Sequence, residues 1–107
     1  MGGSQQTPAR RVVKTEAQIK REIRAYLQEI GAWAFPVQSL GYGVRGIPDI
    51  VGCIHGQLFA LEVKTETGQP TKFQLAQIED CRRAGGYAAV VRSVEDVRRL
   101  LFPSGAP

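Results

Sequence analysis

Two short apolar segments in the middle of the chain constrain its fold more than any other feature. Residues 48–54 and 57–65 are both rich in the aliphatic side chains typical of strands, and only His55-Gly56 separates them. A two-residue connection that contains glycine is typical of a tight hairpin turn. The sequence therefore predicts two adjacent antiparallel strands here.

The predicted hairpin also specifies which side chains face one another. Ile54 pairs with Gln57, and counting back along both strands places Asp49 directly opposite Glu62. Directly paired residues have Cβ atoms about 5 Å apart on one face of the sheet. Lys64 shares that face, because side chains alternate along a strand. A slip of one residue would separate the three, so this prediction depends on the register.

Two carboxylates this close repel each other unless a cation lies between them. Oxygen-rich pairs suit Mg²⁺ or Mn²⁺, which keep waters and a substrate phosphate as their other ligands. Such an ion polarises a phosphoryl oxygen and lowers the pKa of its bound water. Lys64 can then orient the water or stabilise charge on the phosphate. The alternative is an ordinary surface ion pair between Lys64 and one of the carboxylates.

The remaining segments predict a mixed four-stranded sheet flanked by helices. A capping box links Thr15 to Gln18, apolar residues then recur at helical spacing, and Gly31 ends the run. Trp33 and Phe35, in the next segment, are expected in the core. The predicted elements are a helix that begins at Thr15, strands over 32–37, 48–54 and 57–65, a helix over 72–84, a strand over 87–92 and a short helix after Ser93. The α-β-β-β-α-β-α order is that of an α/β fold.

Composition favours a polyanionic partner and restricts the available chemistry. The chain carries 14 Lys and Arg residues against 10 Asp and Glu, a net charge of +4, which suits nucleic acid. It has a single histidine, His55, so a histidine-based metal site is excluded. Cys53 and Cys81 lie far apart, and we expect them to be buried thiols of a reducing compartment.

The length of 107 residues suits a single domain, expected over residues 15–102. Residues 1–14 predict a flexible basic arm, and residues 103–107 a loose tail. No segment is apolar enough over a sufficient length to cross a membrane, and residues 1–14 lack the apolar core of a signal peptide. A cytoplasmic location is therefore expected.

Candidate DNA contacts lie in the glycine-rich loop over residues 39–46 and on the helices. The glycines allow close approach of the backbone to a phosphate, Arg45 can pair with one, and Tyr42 can stack on an unpaired base. A flexible connection is the alternative for this loop, and solvated helix surfaces are the alternative for the helical residues. The candidate backbone contacts on the helices are Lys20, Arg21, Arg24, Lys72, Arg82 and Arg83.

The ordered motifs resemble those of the VRR-NUC domain, the virus-type replication-repair nuclease branch of the PD-(D/E)xK superfamily. The matching stretches are T-E-A-Q at 15–18, G-I-P-D at 46–49, L-E-V-K at 61–64, Gln74 in the second helix, and G-G-Y-A-A-V-V-R-S-V-E-D at 85–96. Together they span about residues 15–100. The resemblance implies a restriction-endonuclease-like fold with an α-β-β-β-α-β core.

The resemblance also implies a role for each matching residue. Asp49 and Glu62 would hold Mg²⁺ or Mn²⁺, with the backbone carbonyl of Val63 as a further ligand, and Lys64 would be the catalytic lysine. The two helices would complete the catalytic site through Gln74 and Glu16. The alternative for Glu16 is an acid favoured by the helix dipole, and for Gln74 a hydrogen bond to nearby backbone.

The implied activity is that of a metal-dependent, structure-specific DNA endonuclease, in which water attacks a phosphodiester and leaves a 5′-phosphate. Stand-alone members of the family resemble Holliday-junction resolvases, so the expected substrate is a four-way junction in bacterial or phage replication and repair. Symmetric cutting needs two sites, which predicts a C2 homodimer. The alternatives are a nuclease for flaps or linear duplex, a non-catalytic DNA-binding module, and a protein-interaction domain.

Overall fold

The computed structural model describes residues 13–38 and 43–107 and confirms the predicted order of elements. Tyr42 and nearly all of the predicted N-terminal arm lie outside the described residues. Each strand is slightly shorter than predicted, because residues at one or both ends of its predicted range are not part of the strand. The elements are α1 (Glu16–Glu29), β1 (Trp33–Pro36), β2 (Ile50–Ile54), β3 (Gln57–Val63), α2 (Lys72–Arg83), β4 (Tyr87–Val91) and α3 (Val94–Leu101).

The four strands form one mixed sheet in the order β1-β2-β3-β4. β1 and β3 are both antiparallel to β2, which lies between them. β4 runs parallel to β3, because α2 connects these two strands as a crossover. His55 and Gly56 both have positive φ angles, 50° and 77°, as a hairpin turn of type I′ requires. Ile54 pairs with Gln57, so the predicted register is confirmed.

Helices cover both faces of the sheet, and the alternation of side chains decides which helix each strand residue meets. One face packs against α1 and α3 and forms the main core. The opposite face packs against α2 through a smaller cluster of Ala60, Ile78 and Ala88. The buried residues of the main core are Ile19, Ile23, Leu27, Ile50, Ile54, Phe59, Leu61, Val63, Val91, Val97 and Leu101.

The prediction that Trp33 and Phe35 belong to the core is wrong. The structure leaves Trp33 68% exposed and Phe35 44% exposed. The residue between them, Ala34, packs against the main core, so both aromatic side chains leave β1 on the opposite face. On that face α2 packs on β3 and β4, which leaves the aromatic pair uncovered at the sheet edge.

The two cysteines are less buried than predicted. Cys53 and Cys81 are free thiols and are partly buried. None of the described helices combines the length and the apolar composition that a membrane crossing requires.

We expect the Leu27→Ala substitution to lower the free energy of unfolding by roughly 2–5 kcal/mol, because Leu27 is almost fully buried between α1 and the sheet. Leu75→Ala is the matched control, since Leu75 is 49% exposed on α2. Urea unfolding followed by circular dichroism measures both. Equal losses in the two variants would contradict the described core.

Candidate active site

Asp49 lies just before β2, one step beyond the last paired residues of the hairpin. Because Ile50 pairs with Leu61, continuing the register by one residue brings Asp49 to Glu62. The Val63 backbone N–H donates to Asp49 Oδ2 at 2.8 Å, and the Val37 N–H donates to the Asp49 carbonyl at 2.8 Å. Asp49 is therefore anchored to the strands on either side of it.

Glu62 is a buried carboxylate in the middle of the sheet, with only 2% of its surface exposed. Its Oε2 accepts a hydrogen bond from Gln74 Nε2 at 3.0 Å and lies 3.6 Å from Lys64 Nζ. Its Oε1 is buried and has no hydrogen-bond partner among the described residues. An ionised oxygen in this position carries a large desolvation cost.

Burial, together with the neighbouring Asp49 carboxylate, raises the pKa of Glu62 to about 7, although Lys64 opposes both effects. A buried carboxyl group beside a second carboxylate is disfavoured in its ionised form. A cation bound next to Glu62 would therefore favour its ionisation.

The carboxylate pair fits a divalent cation. An unpartnered buried carboxylate oxygen beside a second carboxylate is the donor set that Mg²⁺ and Mn²⁺ prefer. No three Asp, Glu, His or Cys side chains gather into a metal-binding cluster within residues 13–38 and 43–107. Protein ligands beyond Asp49 and Glu62 would therefore come from the backbone, and water would fill the other positions.

Gln74 performs two functions at the start of α2. Its Oε1 accepts from the Thr71 N–H at 2.8 Å, and the Thr71 hydroxyl accepts from the Gln74 N–H at 3.1 Å, which forms a capping box. This box fixes the side-chain amide so that Nε2 points at Glu62. The capping box at Thr71 was not predicted, although T-x-x-Q recurs there in the same form as at Thr15.

Glu16 approaches the site through Lys20. The Lys20 ammonium lies 3.3 Å from Glu16 Oε1 and 3.3 Å from Asp49 Oδ1. Burial disfavours its charge, but the two carboxylates outweigh burial and raise the pKa of Lys20. The structure thus pairs Lys20, which is also a predicted DNA contact, with both acids.

The loop before Asp49 is docked on the start of α2. A Cβ at Gly46 would lie 2.3 Å from the backbone carbon of Phe73, and the φ angle there is 77°, so only glycine fits. Gln77 Nε2 donates to the Arg45 carbonyl at 3.3 Å. The charged groups of Arg45 and Lys72 lie 5.0 and 5.3 Å from the centre of the Phe73 ring. Both predicted DNA contacts thus lie at one rim of the site.

Arg92 holds the loop that follows Lys64, a role that sequence analysis missed. Its Nη1 donates to the carbonyls of Thr65 at 2.6 Å and Gly68 at 2.7 Å. These contacts join the end of β4 to a loop 24 or more residues earlier. No local sequence pattern could have identified these contacts, because every residue has a backbone carbonyl oxygen whatever its side chain.

Comparisons with known proteins support this fold. The family model described as "Archaeal holliday junction resolvase (hjc)" matches residues 13–102. A solved "VRR_NUC domain" has a TM-score of 0.67 and 24% identity, covering 82% of this chain and 96% of its own. An Archaeoglobus fulgidus Holliday junction resolvase, Hjc, has a TM-score of 0.57 and 23% identity, covering 72% of this chain and 67% of its own. No curated protein matches.

The predicted resemblance to the VRR-NUC domain and the predicted restriction-endonuclease-like α/β fold are confirmed. Both solved structures are under 25% identical to this chain, so their likeness establishes the fold. The family model adds a match over nearly the whole described chain.

We expect Glu62→Gln to stabilise the metal-free protein at pH 8 and to leave its stability at pH 5 nearly unchanged. The folded-state pKa of Glu62 is raised from 4.5 to about 7. The corresponding stability is present below pH 4.5 and is lost as the pH rises through 7. A neutral amide avoids that loss, which is at most about 3 kcal/mol.

Thermal unfolding in EDTA at both pH values measures this effect. Glu79→Gln is the control, because Glu79 is exposed on α2 and its replacement should not change the pH dependence. A Glu62→Gln variant that is no more stable than the native chain at pH 8 would contradict the described burial.

Proposed function

The chain belongs to the archaeal Holliday junction resolvase family of nucleases, and on that premise we propose that it is a divalent-metal-dependent endonuclease that cuts four-way DNA junctions. One observation carries the proposal. Glu62 lies beside the Asp49 carboxylate, its buried Oε1 has no partner among the described residues, and Lys64 is on its other oxygen. A surface ion pair has no reason to bury an unpartnered carboxylate oxygen.

In this proposal Asp49 and Glu62 hold Mg²⁺ or Mn²⁺, with the Val63 carbonyl as a third ligand. The bound ion would polarise the scissile phosphate and acidify a bound water. Lys64 orients the attacking water and stabilises charge that develops on the phosphate. Gln74 keeps the Glu62 carboxylate in place through its hydrogen bond to Oε2.

Water is the attacking group in this proposal, and the product carries a 5′-phosphate. No Ser or Cys side chain lies among the residues proposed for the site, so no covalent intermediate is needed. Glu16 contributes from α1 by holding Lys20 against Asp49. Arg45 and Lys72 contact DNA phosphates at the rim, and we keep Tyr42 as a candidate for base stacking.

Resolution of a junction by paired nicks needs two active sites. The chain carries one set of these residues, so we propose that a C2 homodimer provides the two. Sedimentation equilibrium of the full chain tests the oligomeric state. The proposed setting is the cytoplasm of a bacterium or of a phage-infected cell.

We expect Lys64→Ala to lower the rate of junction cleavage by roughly a hundredfold or more, while junction binding is retained. The assay uses a synthetic four-way junction with Mg²⁺ or Mn²⁺, and with EDTA as the metal-free arm. Lys14→Ala is the control, because Lys14 pairs with Glu22 on the exposed side of α1.

Symmetric nicks that depend on metal and on Lys64 support the resolvase. Cutting of flaps or linear duplex in preference to the junction would support the nuclease activity but contradict the four-way junction as its substrate. Binding without cutting under any metal would leave a DNA-binding module.

A second prediction separates the two functions of Gln74. Gln74→Ala and Gln18→Ala each remove the glutamine of a capping box, so both should lose roughly 0.3–1.5 kcal/mol of stability. Only Gln74→Ala also frees the Glu62 carboxylate, so only that variant should lose about 10–100-fold in cleavage or metal affinity. Equal activity in the two variants would remove Gln74 from the site.

A further inference from the structure

A groove runs along α1 on the side that faces β1. It consists of two adjoining depressions of about 490 and 430 Å³, which share Arg21, Arg24 and Ile50 in their lining. Asp49 lies at one end, and Gly31, just after the end of α1, lies at the other. The groove therefore reaches one member of the carboxylate pair, Asp49.

The α1 wall of the groove is cationic. Arg21, Arg24 and Gln28 recur at helical spacing and form one stripe along the lining. Among residues 13–38 and 43–107, acidic side chains are absent from the larger depression, and Asp49 is the one acid that lines the smaller one. The groove thus presents positive charge along its length and the candidate catalytic carboxylate at its end.

Arg21 and Arg24 differ from the other cations of the described chain. Within residues 13–38 and 43–107, every other Lys or Arg side chain makes an ion pair, a hydrogen bond or an aromatic contact. The two groove arginines have no such partner there. Both guanidinium groups are thus available to an external anion.

The strand opposite α1, β1, carries two aromatic residues at the edge of the sheet. Phe35 lines the larger depression, and its ring, like that of Trp33, leaves β1 on the face away from α1. Trp33 packs edge-on against Phe35, with ring centroids 5.0 Å apart and an angle of 74° between the ring planes. Both rings are exposed, Trp33 by 68% and Phe35 by 44%. Cations on one side of an edge strand and exposed aromatic rings on the other can hold a single strand of nucleic acid that crosses the edge, with phosphates on the cations and bases on the rings.

We propose that this groove and the adjoining edge of β1 bind an unpaired strand of DNA that leads to the active site. Arg21 and Arg24 contact its phosphates, and the Trp33–Phe35 pair stacks on its bases. The proposal rests on the proposed nuclease function, because it assigns the path of the substrate strand at the same site. A junction opened at its crossing point offers such a strand.

Charge complementarity favours DNA as the occupant over a second copy of the chain. A second copy would bring a surface that on average is also positive, since the net charge is +4. The unpaired arginines would then face like charge. A polyanion satisfies both the arginines and the rings.

Trp33 provides the test, because it is the only tryptophan of the chain. Oligothymidylate is titrated into the full-length protein in EDTA, so that no cleavage occurs, and the emission of Trp33 is recorded. Stacking of a base on the indole should quench the emission. Fluorescence anisotropy of a labelled oligothymidylate measures binding independently.

The double variant Arg21→Ala/Arg24→Ala should weaken oligothymidylate binding about tenfold. It should also flatten the slope of log Kd against log salt by about 1.4, the value for two contacts to a single strand. Arg98→Ala/Arg99→Ala is the charge-matched control, because those arginines pair with Glu95 on α3. Phe35→Ala should reduce the quenching and weaken binding several-fold.

Three results would overturn the proposal. The first is oligothymidylate binding that leaves the Trp33 emission unchanged, and the second is an equal loss of affinity in the two double variants. The third is a change in emission with protein concentration alone, which would place a second copy on the aromatic pair. Cleavage assays test the nuclease separately from the groove. Metal-dependent nicking without quenching rejects only strand binding in the groove. Quenching without nicking rejects only the nuclease function.

Discussion

The register of the β2–β3 hairpin is the constraint on which the candidate site depends. His55 and Gly56 adopt positive φ angles and form a two-residue turn, so the pairing of Ile54 with Gln57 determines every later pair. Because side chains alternate along a strand, a shift of one residue would move Glu62 to the face of α1 and α3. Its carboxylate would then lose both Asp49 and the α2 amide.

The buried carboxylate of the site lowers the stability of the metal-free fold. Glu62 is buried, and its raised pKa reflects that burial and the neighbouring Asp49. The Gln74 amide and the Lys64 ammonium satisfy one of its two oxygens. The other oxygen remains without a described partner. A site that is electrostatically incomplete without a cation is a reason to expect metal binding and stability to be linked in this protein.

The helix α1 supports the fold and the site with different faces. Its apolar residues fill the main core, its Lys20 reaches Asp49, and its remaining cations line the groove beside β1. The edge position of β1 completes this arrangement, because no other strand of the described residues covers its outer side. Lys20, Arg21 and Arg24 therefore lie in one lining with Asp49.

Sequence alone determined the features that depend on local spacing. The order of the elements, the hairpin register, the capping of α1 and the pairing of Asp49 with Glu62 all follow from alternation, helical periodicity and turn chemistry over a few residues. Tertiary structure decided the features that depend on how the layers stack. It left Trp33 and Phe35 exposed because α2 packs on β3 and β4, it placed Lys20 between two acids, and it brought Arg92 to the loop after Lys64. Such contacts join residues far apart in the chain, so no local pattern encodes them.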